Sequence, residues 1–506
     1  MRPALEYARR LGRFQRNARL YLINNALSGV TAGIVLVLYN LYLYSLGYKA
    51  DFVGFVLFSV TIGAGIAIFP AGLCIDRFSG KAILLWSNLL IALGAIGQFL
   101  FRQPVPLLVS GFVEGVAFAF ILVINAPFLT RNSNPQERPD LFSMNISLGL
   151  ITLVAGEVLG GALPIWFRSW RWLMAPMPAW AAPLLASQPD PRSYQLALLF
   201  AGIIAAPSLI PLFMLRDTRP RRDNRGLSTL PIGAVPPIDT PESSLGGGGD
   251  GSQRTRAAQA PPPIISTSPA PTTVFPTRAS RGGRGWEEWW GRLRRPRPFI
   301  TRERFHAFVR RPRPLTHVQI KAFVRSPFFF LMLVYIFTGL GAGLFIPYFN
   351  LFFVHHLNAS SALFGLIDGG ANGLTALTTL GAPWLAARIG RVNTIAVTRL
   401  LSIPLLLLVG LTGILPLAAL LYPLRQGVMD MSNGILQVYS MEAVSEKFRG
   451  LANSSYQAAY QVPWAITASV GGVIIVQVGY PPVFLLGALC YILAIAVLWG
   501  RFGRGS

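Results

Sequence analysis

The sequence predicts an all-α integral membrane protein with twelve transmembrane helices in two six-helix, pseudo-symmetric bundles. Three observations predict it. The 506-residue chain is 53% hydrophobic and only 13% charged, which is well below the charge of a soluble domain. It contains twelve apolar runs of the length, about 20 residues, that spans a bilayer as a helix. The second half of the chain also repeats the first at a nearly constant spacing.

The apolar runs divide the chain into five parts, because six runs precede a polar centre and six follow it. They begin near residues 20, 53, 82, 107, 145, 194, 327, 361, 393, 413, 451 and 481. This pattern predicts a basic tail at 1–19, an N-terminal bundle at 20–215, a linker at 216–326, a C-terminal bundle at 327–500 and a tail at 501–506. The linker is basic and rich in Pro, Gly and Ser, which is typical of a disordered tether.

The distribution of Lys and Arg predicts the orientation of the chain in the membrane. The tail before the first run carries Arg2, Arg9, Arg10, Arg13, Arg16 and Arg19, whereas the loops after the seventh, ninth and eleventh runs carry no Lys or Arg. Basic residues near spans stay on the cytoplasmic side. We therefore expect both termini and the linker to be cytoplasmic, in a cell (inner or plasma) membrane. The net charge of +24 then reflects topology and attraction to anionic lipid, and nucleic-acid binding is the less favoured explanation.

An internal repeat relates the two halves of the chain. Arg77 and Arg388 lie 311 residues apart, and several further pairs lie 311 or 310 residues apart: Gly54 with Gly365, Arg138 with Arg449, Gly160 with Gly471, and Asn40 with Asn350. Unrelated segments would scatter these spacings. The pattern therefore predicts two related halves, which lie parallel because each has an even number of spans.

The turn between the second and third runs, AGLCIDRFSGKA at 71–82, carries the strongest motif. With its second copy near residue 388 and the twelve-span repeat, it resembles the major facilitator superfamily, whose motif in this turn is G-x-x-x-D-R-x-G-R-K. Two related halves are a property of that superfamily. The resemblance implies a cytoplasmic gate formed by Gly72, Asp76, Arg77, Lys81, Arg388, Gly390 and Arg391.

In the superfamily this turn is taken to hold the cytoplasmic side shut in the outward-facing state. Asp76 can cap a helix N-terminus or pair with an Arg in one conformation only. Its counterpart in the second copy is Ala387, so that copy lacks the acid. The alternative is that Arg77 and Lys81 only anchor the chain at the membrane surface.

Ionisable side chains inside the apolar runs are the candidates for function, because each is costly in a bilayer unless paired or hydrated. The candidate coupling and cavity residues are Glu114, Asn125, Asp368, Asn372, Arg425, Asp430, Asn433, Gln437, Tyr39, Asn40 and Asn350. Glu114 is the first candidate for a proton carrier and Asp368 the second. The alternative for both is a structural ion pair with Arg425 or Arg399. Glu157 lies between Gly156 and Gly160, a spacing that indicates close helix packing.

The sequence predicts a secondary transporter and not an enzyme. It has no P-loop, and the four His residues show no metal-binding spacing, so no cofactor and no metal are expected. Driving energy would come from a proton or another coupling ion. Export of amphiphilic, drug-like compounds is favoured by the aromatic cavity candidates Tyr39, Tyr42, Phe349, Phe352 and Trp464. The alternatives are a proton-coupled importer of a small organic solute and a membrane sensor or scaffold that does not transport.

Overall fold

The computed structural model describes residues 14–75, 78–134, 136–176, 184–216, 321, 323–445 and 449–503. These residues form helices and connecting turns, and they contain no β-strand, so the all-α fold class is confirmed. Several predictions concern parts of the chain outside the described residues: the terminal stretches 1–13 and 504–506, positions 217–320 of the linker, and the motif residues Asp76 and Arg77.

The N-terminal half contains six long helices. They are α1 (Arg16–Ser45), α2 (Ala50–Ile75), α3 (Gly80–Leu100), α4 (Pro104–Arg131), α5 (Arg138–Ser169) and α6 (Pro189–Ala205). A 3₁₀ turn at Ala206–Ser208 joins α6 to a short helix at Leu209–Phe213, and a four-residue helix, Arg171–Met174, follows α5. Ser79 accepts a hydrogen bond from the Ala82 amide and so caps the start of α3.

The C-terminal half contains the six equivalent helices. They are α7 (Pro327–Phe345), α8 (Ser361–Ile389), α9 (Arg391–Leu411), α10 (Leu415–Asp430), α11 (Arg449–Gln477) and α12 (Pro481–Phe502). The helical path of α7 continues through Ile346–Tyr348 and Phe349–Leu351 to a π-helical turn at Phe352–His356, and a helix at Asn433–Glu442 follows α10. Gly390 separates α8 from α9 with a φ of +85°, which a residue with a side chain rarely adopts.

Ten helical segments in the described part of the chain are long and apolar enough to cross a bilayer. The other two of the twelve helices are α8 and α10. A stripe of Asp, Asn and Thr side chains makes α8 more polar, and α10 is interrupted after Asp430, which leaves 16 residues in its first segment. The prediction of a twelve-helix, multi-pass membrane protein is confirmed.

The helices of the two halves pack in equivalent pairs. In the N-terminal half α1 packs against α5 and α2 against α4, and in the C-terminal half α7 packs against α11 and α8 against α10. Between the halves, α2 packs against α11 and α5 against α8. Large apolar side chains such as Leu380 and Trp86 are exposed on the outside of the bundle, as expected for a surface that faces lipid.

Candidate functional site

The two halves meet where α1 ends and α2 begins, which we call the closed end. The Asn40 side chain donates a hydrogen bond to the Pro347 carbonyl oxygen at 2.7 Å, and Asn350 donates to the Val37 carbonyl oxygen at 3.3 Å. The two amides also contact each other at 3.4 Å. The repeat spacing of 310 relates Asn40 to Asn350 and Val37 to Pro347. The same contact is therefore made once from each half, around the pseudo-two-fold axis.

Glycines allow two equivalent helix crossings at the closed end. A methyl group added at Gly54 on α2 would lie 2.7 Å from the Ala468 carbonyl oxygen on α11, and one at Gly365 on α8 would collide with the Glu157 carbonyl oxygen on α5. The 311 spacing relates Gly54 to Gly365 and Ala468 to Glu157. Gly161 and Gly472 make a second related pair of close approaches, to the carbonyl oxygens of Ser361 and Ala50. The halves therefore touch through backbone on both sides of the axis.

The same helices are less closely packed away from the closed end. On α8, Gly365 and Gly369 contact α5, but a methyl group added at Gly373 or Gly381 would meet no heavy atom within 4 Å. Gly72, near the end of α2, has the same free space. The contacts of α8 with α5 made by Gly365, Gly369 and Asn372 therefore lie within its first three turns. These contacts close one end of the bundle, and Gly72, Gly373 and Gly381 have free space toward the opposite end.

A polar network crosses the α5–α8 contact. Glu157 on α5 is fully buried, and one of its carboxyl oxygens accepts a hydrogen bond from the Asn372 side chain at 2.7 Å. Asn372 in turn accepts from Gln426 on α10 at 2.9 Å. One turn before Asn372, Asp368 accepts from the Tyr422 hydroxyl at 2.7 Å. These five residues form two hydrogen-bonded groups one helical turn apart, and we call them together the coupling network.

The two acids of the coupling network come from opposite halves and interact electrostatically. Neither takes part in the ion pairs found in the described part of the chain, and the second carboxyl oxygen of Glu157 has no hydrogen-bond partner among the described residues. The alternative for Asp368, an ion pair with Arg399 or Arg425, is not found among the described residues, and the Tyr422 hydroxyl takes that place. Two nearby buried carboxyl groups without a cation can hold a proton in place of a charge.

The coupling network breaks the symmetry of the two crossings. The 311 spacing relates Glu157 to Ala468 and Asp368 to Leu57. The α2–α11 crossing therefore has apolar side chains where the α5–α8 crossing has acids. Packing alone is satisfied by the apolar pair, so packing does not explain the acids at the other crossing. Close packing of Gly156 and Gly160 against α1 confirms the packing prediction for this part of α5.

Glu114 has a different environment within the N-terminal half. Its carboxyl group accepts a hydrogen bond from Gln98 on α3, and its Cβ lies 3.0 Å from the position of a methyl group added at Gly94. Asn125, on the same face of α4, has a buried side-chain oxygen with no hydrogen-bond partner in the described part of the chain. Glu114 thus faces α3 and forms no ion pair with Arg425 among the described residues, so the pair suggested by the repeat is not formed.

The C-terminal half contains a partly open cavity of about 210 Å³, lined by polar and apolar side chains of α7, α9, α10, the helix after α10, α11 and α12. Arg425 donates to the Tyr491 hydroxyl at 3.2 Å and lies over the Phe345 ring. Arg399 donates to Thr338 at 2.9 Å and to Asn433 at 3.2 Å. Four residues expected from the sequence to lie in a cavity line this one: Arg425, Asp430, Asn433 and Gln437.

The aromatic cavity candidates lie elsewhere. Tyr39, Tyr42, Phe349 and Phe352 are buried in the hydrophobic core around the closed end. Tyr42 donates to the Phe99 carbonyl oxygen at 3.0 Å, and Phe349 packs edge-on against Tyr422 with the ring centres 4.5 Å apart. Trp464 is partly buried beside this core. These rings therefore stabilise the closed end.

The described residues of the predicted gate make separate contacts. Lys81 donates to the carbonyl oxygens of Phe213 and Leu215, at 2.6 and 2.9 Å, and so caps the end of the short helix after α6. Arg388 lies over the Trp384 ring. Arg391 forms an exposed ion pair with Glu442. Asp76 and Arg77 lie outside the described residues, so the gate stays a prediction.

Comparisons with known proteins agree with this fold. The family profile of the Major Facilitator Superfamily matches residues 21–333 and 331–504. No curated protein matches the chain closely enough to count as a relative. Solved structures show the same fold, although their sequences are distant.

Three of these structures are those of two transporters and of a bacterial homologue of a transporter. The nucleoside transporter NupG is 14% identical, with a TM-score of 0.57, and the match covers 96% of this chain and all of that one. A bacterial homologue of the lysosomal transporter Spinster, in an inward-facing and occupied conformation, has a TM-score of 0.61 at 12% identity and 96% coverage of both chains. A D-xylose–proton symporter has a TM-score of 0.59 at 13% identity, and the match covers 96% of this chain and 97% of that one. The chain therefore belongs to the major facilitator superfamily of transporters.

Proposed function

We propose that this protein is a proton-coupled secondary transporter that moves a small molecule by alternating access, with Glu157 and Asp368 as the coupling acids. The observation that carries the proposal is the coupling network, in which one acid from each half meets at the α5–α8 crossing. Its apolar counterpart at the α2–α11 crossing supports it further. In the orientation that the sequence predicts, the closed end is extracellular, and this conformation is inward-facing.

The proposed coupling step uses charge to control the closed end. Two facing carboxylates without a cation are costly in a buried contact, so the crossing is favoured when the carboxyl groups are neutral. Protons enter while the outer end is open, and the outer end then closes over the neutral pair. Release of the protons toward the cytoplasm restores the negative charges, which repel each other and weaken the crossing. Substrate transport is coupled to this cycle because the same helices move.

The solute and the direction of transport are further parts of the proposal. Export of amphiphilic, drug-like compounds depended on aromatic cavity residues, and most of those rings pack in the core of the closed end. The cavity of the C-terminal half is instead lined by Arg, Asp, Asn, Gln and Tyr side chains together with a smaller number of aliphatic side chains and Met429. This lining supports a small polar solute, as in the importer alternative.

The experiment uses proteoliposomes that contain the full chain and an internal pH-sensitive dye. A compound that raises the melting temperature of the purified protein is added outside, and its flux and the dye signal are measured with a pH gradient of either sign. Glu157→Gln should abolish gradient-driven flux and spare exchange of labelled for unlabelled compound. Asp190→Asn is the matched control, because this acid is exposed and forms a surface ion pair.

The other possible outcomes would assign the coupling acid or the function differently. If Glu157→Gln retains gradient-driven flux and Glu114→Gln loses it, the coupling acid is Glu114. Gradient-driven flux in both variants and in Asp368→Asn would exclude coupling by these acids. Absence of both flux and exchange for every stabilising compound would favour the sensor or scaffold. The gradient that accelerates uptake separates import from export.

A further inference from the structure

The cavity of the C-terminal half carries a positive charge that the coupling network does not use. Its volume of about 210 Å³ equals that of about seven water molecules at roughly 30 Å³ each, so a small organic ion fits. Among its lining residues, the Lys, Arg, Asp and Glu side chains are Arg399, Arg425 and Asp430. Two guanidinium groups and one carboxylate leave the cavity with a net charge of +1.

Both guanidinium groups have unused hydrogen-bond donors. Arg399 and Arg425 are each only 3% exposed, and the Nε atom of each has no hydrogen-bond partner among the described residues. Asp430 is linked to Arg399 through Asn433, which donates to it at 3.1 Å, so the carboxylate does not bind either guanidinium directly. A buried donor without an acceptor is costly. Carboxylate and phosphate oxygens match the planar guanidinium best.

The repeat shows that this arrangement belongs to one half only. The 311 spacing relates Arg399 to Asn88 and Arg425 to Glu114, and it relates Asp430 to Ala119. The equivalent positions of the N-terminal half thus contain no cation. Packing of a six-helix bundle does not require the buried Arg pair, because the related bundle is built without it.

We propose that this cavity binds a small organic anion, which is the substrate class of the transporter proposed above. The anionic group binds between Arg399 and Arg425, which Thr338 and Asn433 help to orient. Four tyrosines in the lining, Tyr335, Tyr456, Tyr460 and Tyr491, offer ring faces and hydroxyl groups to the body of the ion. Binding of the anion does not depend on the proposed function, but its assignment as the transported substrate rests on it.

Binding is tested by thermal stabilisation of the purified full chain, since a ligand that binds the folded state raises the melting temperature. The probes are benzoate and phenyl phosphate, with benzamide as the neutral and benzylamine as the cationic compound of matched shape. We expect both anions, or one of them, to stabilise the protein, and the stronger of the two identifies carboxylate or phosphate as the preferred group. Equal stabilisation by benzamide, or stabilisation by benzylamine alone, overturns the proposal.

Two variants change the charge of the cavity in opposite directions. Arg425→Gln should weaken binding of the anion by about tenfold or more, because it removes one of two buried cationic partners. Asp430→Asn should strengthen binding of the anion several-fold, because the change raises the net charge of the cavity to +2 and leaves its volume nearly unchanged. Arg501→Gln, a change outside the cavity in the same half, should leave binding unchanged. If Arg425→Gln does not fold, an unchanged or weaker affinity of Asp430→Asn still overturns the proposal.

Glu157→Gln separates this inference from the proposed function. If this variant and the original chain both bind the anion but neither shows proton-coupled flux, the anion site is retained and the transport mechanism is contradicted. Proton-coupled flux of neutral compounds without anion binding contradicts the anion site alone.

Discussion

At the residue scale, Arg192 is buried far more deeply than its position near the start of α6 indicates. It is 1% exposed and donates hydrogen bonds to four carbonyl oxygens, those of Leu173, Ala175, Ala186 and Ser187. It thereby holds together the two described ends of the connection from α5 to α6. From the sequence it was one of several basic residues of a loop. Burial of this kind depends on which distant segments of the chain pack against Arg192, and a local sequence pattern does not contain that information.

We predict that Arg192→Ala lowers the free energy of unfolding by roughly 3 kcal/mol, because four backbone acceptors lose a charged donor. Thermal melting in detergent measures the effect. Arg168→Ala is the matched control in the same region. Arg168 pairs with Asp190, where both partners are substantially exposed, and donates a single hydrogen bond to Ser193 at 3.1 Å. An exposed pair contributes at most about 1 kcal/mol, so we expect a smaller loss than for Arg192→Ala. Equal melting temperatures for the two variants would contradict the structural role of Arg192.

The candidate site could be predicted from the sequence only in part, also for reasons at this scale. The rule that intramembrane acids are functional selects Glu114, Glu157 and Asp368 together. It does not rank them, because the ranking depends on which acids meet across the two halves. The spacing of Gly156 and Gly160 indicates a packing segment around Glu157, and these glycines do pack closely. The signal that was available is the comparison with Ala468, its counterpart in the repeat.

At the element scale, the glycines of α8 separate an inter-half contact from free helix surface. Ala favours a helix over Gly by about 1 kcal/mol, so Gly373→Ala should be neutral or stabilising where nothing lies within 4 Å. Gly365→Ala should lower the melting temperature and the rate of transport, because the added methyl group collides with the backbone of Glu157. The same assays on both variants provide the comparison, and equal behaviour would mean that the crossing adapts freely.

The elements themselves were largely predictable, because a bilayer imposes one length and one composition on every span. The twelve apolar runs correspond to α1–α12. What could not be predicted is where helices are interrupted. The hydropathy pattern indicates neither the break after Asp430 nor the π-helical turn at Phe352–His356. Ser432, Asn433 and Gly434, which follow the break, are residue types typical of turns.

At the scale of the whole molecule, the repeat spacing predicts the symmetry that the structure has. The contacts of Asn40 and Asn350 are reciprocal, and the stacked rings of Tyr44 and His355, with centres 4.0 Å apart, are also related by 311 residues. The conformational state was not predictable. A transporter sequence has to be compatible with both an outward-open and an inward-open arrangement, and the free energies of the two differ by only a few kcal/mol.

The closed end has to open in every transport cycle, and a reversible cross-link tests this directly. We predict that Asn40→Cys combined with Asn350→Cys can be joined by a short bifunctional thiol reagent, because the two native side chains contact each other at 3.4 Å. The native Cys74 and Cys490, which are free thiols, are first replaced by Ser. Cross-linking should stop flux in proteoliposomes, and reduction of the linker should restore it.

The two single-Cys variants are the controls, since each loses the same hydrogen bonds as the pair but cannot be bridged. Flux of the unmodified double variant is the reference, so that loss of the amides is not mistaken for loss of motion. If the bridged protein transports at the rate of the reduced protein, the closed end does not separate during transport, and alternating access through this contact is wrong. If bridging stops flux and reduction restores it, the contact between Asn40 and Asn350 opens during transport, because a permanently closed end leaves the solute access from one side only.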